Sequence, residues 1–121
     1  MTELASTMTP REIAAQAAEA IRALNHLTYG GGELGSPDEV RDIIARLGLM
    51  GQGIPQLCEQ LARFLVAAQE DGQVRHGSGA DPDLSVTEVM EALTAAGQAA
   101  DMMTAALEEA HNAATELRRA R

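Results

Sequence analysis

From Val40 to Ala68 the apolar residues recur at steps of three and four without a break: Val40, Ile43, Leu47, Met50, Ile54, Leu57, Leu61, Phe64 and Ala68. That alternation puts all of them along one side of an α-helix. It runs straight through "GLMGQGIPQ" (48–56), which holds three glycines and a proline. A loop has no reason to keep helical phase, so the spacing predicts one helix through this segment. Pro55 donates no amide hydrogen and its ring crowds the carbonyl four residues earlier, at Gly51. Ile54, preceding the proline, is pushed from helical geometry. The expectation is a kink near 51–55, with Gly48, Gly51, Gly53 and Pro55 as its hinge. Gly48, Gly51, Pro55, Cys58 and Ala62 form a second stripe, of small residues, beside the apolar line. Such a stripe lets a neighbouring helix come close.

Two further helices flank this one. "TPRE", "SPDE" and "SVTE" each fit a capping box, in which a hydroxyl and a carboxylate satisfy free amides at a helix start. They place helix starts after Thr9, Ser36 and Ser85, with Glu12, Glu39 and Glu88 as the reciprocating carboxylates. The first helix is expected over about 10–27, with Ile13, Ala17, Ala20 or Ile21, Leu24 and Leu27 on its apolar side. The second spans about 37–71. The third spans about 86–119, on the line Val86, Val89, Leu93, Ala96, Ala100, Met103, Leu107, Ala110, Ala114 and Leu117. Arg118, Arg119 and Arg121 then fall in its last turn, where cations suit the helix dipole. Glycines and prolines mark loops at about 28–36 and 72–85. The organisation expected is a flexible N-terminus over 1–8 and a single helical-bundle domain over 9–121.

Composition agrees with an all-α fold. Only 2% of residues are aromatic, Tyr29 and Phe64, so a core must come from Leu, Ile, Val, Met and alanine, the best helix former. The first helix is about 27 Å long at 1.5 Å per residue, the other two about 50 Å each. Helices two and three can pair as an antiparallel hairpin, of which the first covers about half. Either the kink folds the second helix back, or a second chain meets the uncovered part. The continuous heptads favour a homodimer in which two protomers complete the bundle.

The net charge of -9 opposes nucleic-acid and anionic-membrane binding, which need clustered cations. All nine basic residues are arginine, so Schiff-base chemistry and a lysine phosphate loop are excluded. Cys58 is the single cysteine. It excludes an intrachain disulfide and a multi-cysteine zinc site, and reads as a small buried hydrophobe. "MTELASTMTPRE" is no conventional signal peptide and no apolar run spans a membrane, so the location expected is cytoplasmic.

Catalytic groupings are absent from the spacing, and no cofactor is expected. Glu108 and His111 form a Glu-x-x-His pair, the spacing that di-iron bundles use for metal. One such pair per chain, on the flank of the Leu107–Ala110 line, makes it a weak candidate. His26 suits a helix C-terminus, and His76 falls in the second loop.

"AAEAIRALNHLT", "LGLMGQGIPQLCEQLARFL" and the alanine-rich last helix together resemble the small, uncharacterised, lysine-free helical proteins of high-GC actinobacteria. That resemblance implies a helical fold and carries no activity. The chain is also similar in architecture to the secreted helical hairpins of the ESX type, which are small, acidic and dimeric. Their Trp-x-Gly turn is missing, as the chain has no tryptophan, and a leading helix is added.

The function expected is a non-enzymatic helical interaction module, adaptor or regulator acting as a homodimer. The residues expected to carry the contact are Val40, Ile43, Leu47, Met50, Ile54, Leu57, Leu61, Phe64, Leu93, Met103, Leu107 and Leu117. Alternatives are an ESX-like secreted protein, or an acidic nucleic-acid mimic using Asp38, Glu39, Asp42, Glu108 and Glu109. A metal-binding bundle ranks behind them.

Overall fold

The structure is a computed structural model that describes residues 7–118 and Ala120. The expected flexible N-terminus lies mostly outside the described residues. Among those described, the fold is all-α, with no strand: α1 (Pro10–Thr28), a single 3-10 turn (Tyr29–Gly31), α2 (Pro37–Glu70) and α3 (Asp83–Ala114). No helix among them is long and apolar enough to cross a membrane.

The chain divides into two compact units, one ending at Ser36 and the other beginning at Pro37. In the first unit, α1 starts as its sequence predicts. The Thr9 amide donates to Glu12 Oε1 and the Glu12 amide donates to Thr9 Oγ1, each at 3.1 Å. The Thr9 amide, and after it the Thr9 hydroxyl, favour the charged Glu12 carboxyl and hold it below its ordinary range. The helix ends where Gly30 takes a left-handed φ of 64° and the Glu33 amide reaches back 2.9 Å to the Leu27 carbonyl. No residue of α1 is buried.

The second unit is an α2–α3 hairpin. Helix α2 runs 34 residues without interruption, with Pro55 inside it. It is neither broken nor folded back at the glycine–proline segment. Its C-terminus is a Schellman motif. Gly72 at φ 72° donates 2.9 Å to the Gln69 carbonyl, and Gln73 donates 2.8 Å to Ala68.

Two boundary expectations are corrected at α3. Ser85 and Glu88 do not cap it but lie inside, because the helix already begins at Asp83. The N-cap position is Pro82, without a side-chain cap bond, and in the turn before it Asp81 Oδ1 accepts the Asp83 amide at 2.9 Å. The side-chain amide of Gln69 donates to Asp83 Oδ1, tying the two helix ends across the loop. The helix also stops at Ala114, short of 119. There Thr115 Oγ1 donates 2.6 Å to the Asn112 carbonyl, and Arg118 Nη1 donates to the carbonyls of Thr115 and Leu117 at 2.6 and 2.8 Å. Local side-chain bonds of this kind compete with the helical ladder. Arg118 therefore follows the helix instead of ending it, and Arg119 and Arg121 lie outside the described residues.

Candidate interaction surface

The hairpin seam is built from the small residues of α2. Gly51 and Cys58 are buried, with Gly48, Pro55 and Ala62 half-buried beside them. From α3 the seam takes Val86, Gly97, Ala100 and Ala114, all buried. The helices come very close. A Cβ on Gly97 would stand 3.4 Å from the Pro55 Cα, and one on Gly51 would collide with Thr104 Oγ1. Thr104 is tolerated there because its hydroxyl donates 2.8 Å to the Ala100 carbonyl. Of the four hinge residues, Gly51 and Pro55 thus have a defined packing role, Gly48 borders the seam, and Gly53 is exposed, where an added Cβ would meet nothing within 4 Å.

With small residues facing α3, the large apolar line of α2 is left outside. Val40, Met50, Leu57, Leu61 and Phe64 are exposed, Phe64 by 74%, while Ile43, Leu47 and Ile54 are half-buried. The heptad line is therefore not the seam between the two helices. In α3 the seam also departs from the predicted line. It follows Val86, Leu93, Gly97, Ala100, Thr104, Leu107 and Ala114, all buried or half-buried, while Val89, Ala96, Met103 and Ala110 are exposed. Leu93 and Leu107, expected at an intermolecular contact, are half-buried at the hairpin seam. Leu93 lines a groove with Cys58 and Ala62, and Leu107 one with Gly48. Leu117 lies exposed beyond the helix end.

The exposed lines of the two helices belong to one face. At 100° per residue, Met50, Leu57, Leu61 and Phe64 sit about a third of a turn from the seam residues of α2. Val89, Ala96, Met103 and Ala110 sit about a fifth of a turn from those of α3, in the same rotational sense. Because the helices run in opposite directions, both rotations lead to the same side of the hairpin. None of these residues is charged.

The opposite side is mixed, with ion pairs beside exposed Leu49 and Met90. There Arg41 pairs with Asp38 at 3.2 Å, and Arg63 pairs with Glu59. Exposed pairs at this spacing contribute little to stability. Two shallow grooves open on this side. One places Glu59, Arg63, Gln98 and Asp101 around Cys58. The other places Glu108 and His111 beside Ile44 and Leu49. His111 is half-buried and Glu108 exposed. Among the described residues no group of three or more His, Cys, Asp or Glu is gathered to hold a metal ion. In the second loop His76 Nδ1 accepts the Ser78 amide at 3.1 Å.

The sequence signal that was missed is Gly97. It interrupts an alanine-rich helix one position from the predicted line and marks where α2 comes closest. Compared with known proteins, the chain matches no family model, no curated protein and no solved structure.

Proposed function

We propose that the protein is a non-enzymatic helical interaction module, an adaptor or regulator, that acts as a homodimer through the uncharged face of the α2–α3 hairpin. One observation carries this reading. From α2 the hairpin seam takes mainly glycine, alanine, proline and cysteine, while large side chains of the α2 heptad line stay in water: Phe64 is 74% exposed, Leu57 and Leu61 52% each. Scattered exposed hydrophobics are ordinary, but a contiguous uncharged run along two helices marks a contact surface. The opposite side carries ion pairs and single exposed apolar residues, Leu49 and Met90, in place of a continuous apolar line.

The dimer also accounts for the charge. Two chains of -9 repel through most of their surface, and the uncharged face is where that repulsion is least. Size-exclusion chromatography with light scattering over a wide concentration range tests the reading. A dimer that Leu57→Glu with Leu61→Glu dissociates, with or without loss of helix, while Gln52→Glu on the other side of the hairpin leaves it dimeric, supports it. A monomer at every concentration overturns it.

A further inference from the structure

Within that homodimer, we infer that α2 of one protomer lies on the alanine side of α3 of its partner, around a two-fold axis parallel to the helices. This rests on the homodimer reading and deepens it. The close approaches Gly51–Thr104 and Pro55–Gly97 fix the hairpin register. They place Phe64 level with Val89, Leu57 with Ala96, Met50 with Met103 and Ile43 with Ala110. Between these layers, Leu61, Ile54 and Leu47 fall level with Ala92, Ala99 and Ala106. Save for the methionine layer, α2 presents the larger side chain every time and α3 the smaller.

Two face-to-face arrangements are compatible with two-fold symmetry. An axis across the helices sets α2 on its own copy and α3 on its own copy. Leucine and phenylalanine then meet leucine and phenylalanine on one side, while alanine meets alanine on the other. The two helix pairs would need unequal spacings, prising the sides apart or leaving voids. An axis along the helices sets each large residue over a small one in the same layer, so both sides close at one spacing. In both arrangements every neighbouring pair of helices is antiparallel, the up-and-down arrangement of four-helix bundles, so the choice rests on the match of large to small residues. The face measures about 35 Å by 20 Å, taking 1.5 Å per residue and 8–10 Å between axes. That is roughly 700 Å2 per protomer, near the 800 Å2 or so that a stable pair buries on each side.

The arrangement has a consequence for recognition. It brings both Asp71–Pro82 loops to the same end of the dimer, where they present Arg75 and His76 in duplicate. A partner at that end would meet a two-fold surface instead of a single loop.

Spin labels at the loop decide the matter. Gly77 has no atom within 4 Å of an added Cβ and no left-handed φ, so a Cys58→Ala, Gly77→Cys chain accepts a label there without strain at the loop. Pulsed electron resonance on the labelled dimer should give an interspin distance of roughly 20–40 Å. Loops at opposite ends would be separated by about the length of α2, 34 residues at 1.5 Å or about 50 Å, and more with the loops added. A long distance from a protein that light scattering shows to be dimeric overturns this arrangement and leaves the homodimer standing. A protein that is monomeric by light scattering overturns both.

Discussion

Replacing Gly51 by alanine tests whether the small-residue stripe is truly the seam. In an exposed helix interior the exchange stabilises by about 1 kcal/mol, the difference in helix propensity. Gly53 is such a position: it is helical and exposed, and an added Cβ there meets nothing within 4 Å. At Gly51 the same Cβ would fall inside any real contact distance from Thr104 Oγ1, and 3.1 Å from the Met103 Cε. The methionine tip can move. The threonine can turn aside only by giving up its 2.8 Å bond to the Ala100 carbonyl, a loss of about 1 kcal/mol. Otherwise the helices must separate, and overpacking of that kind costs about 1–3 kcal/mol. Gly51→Ala is therefore expected to be neutral to about 2 kcal/mol destabilising, which sets it roughly 1–3 kcal/mol below Gly53→Ala. Thr104→Ala should rescue it, since the next atom, Thr104 Cβ, lies at an ordinary 3.6 Å. Urea unfolding followed by circular dichroism, at one fixed protein concentration, reads all four chains of that cycle. If Gly51→Ala stabilises as much as Gly53→Ala, the helices do not approach at Gly51 and the proposed exposed face is wrong.

Four further outcomes follow from the structure. Val86, 4% exposed, should cost about 1–3 kcal/mol when cut to alanine. Phe64→Ala should instead weaken self-association, read by light scattering, with the far-ultraviolet spectrum of the hairpin retained. Gly72 ends α2 at φ 72°, so Gly72→Ala should destabilise by about 1 kcal/mol while Gly77→Ala does not, as differential thermal unfolding would show. Glu12 titrates below the usual 4.5 because Thr9 holds its charged form. Its contribution is thus fully present above that value and disappears as pH falls through the lowered folded value. Carboxyl chemical shifts should show Thr9→Ala moving the midpoint only part of the way back, since alanine keeps the backbone amide that contributes most, and an unmoved midpoint would refute a part for the Thr9 hydroxyl.

The sequence made helix number, the continuity of α2 through Pro55 and the first cap legible, because periodicity and capping are local. The small-residue stripe was legible as a place for a neighbour to approach. What periodicity could not decide was which of two adjacent lines faces α3. Val40–Phe64 and Gly48–Ala62 both keep helical phase, and hydrophobicity ranks the first higher. The choice is made by distance. Glycine and alanine let the backbones approach, and Gly97 on α3 answers Pro55, a match between segments 42 positions apart. The end of α3 failed for a similar reason, since the alanine rhythm continues past Ala114 while Thr115 and Arg118 redirect the carbonyls.

The exposed line leads to a last expectation, that folding and association are coupled. Among the described residues the buried apolar ones are Cys58, Ala68, Val86, Ala100 and Ala114, and no side chain of them is more than 98% buried. Such a core removes little apolar surface, whereas covering a large apolar side chain is worth about 1.5–3 kcal/mol. Met50, Leu57, Leu61 and Phe64 are already partly covered, so finishing the job is worth about half of that each. Eight such residues in a dimer supply on the order of 6–12 kcal/mol, as large as the whole stability of an ordinary domain. A protomer that leaves them in water is marginal, and the dimer is then the unit that unfolds. For a two-state dimer, raising protein concentration 100-fold adds RT ln 100, about 2.7 kcal/mol. With a urea dependence of about 2–3 kcal/mol per molar, the unfolding midpoint should rise by about 1 M. A midpoint that stays fixed over that range would mean that the hairpin is stable by itself, and that its apolar face serves a partner other than a second copy of the chain.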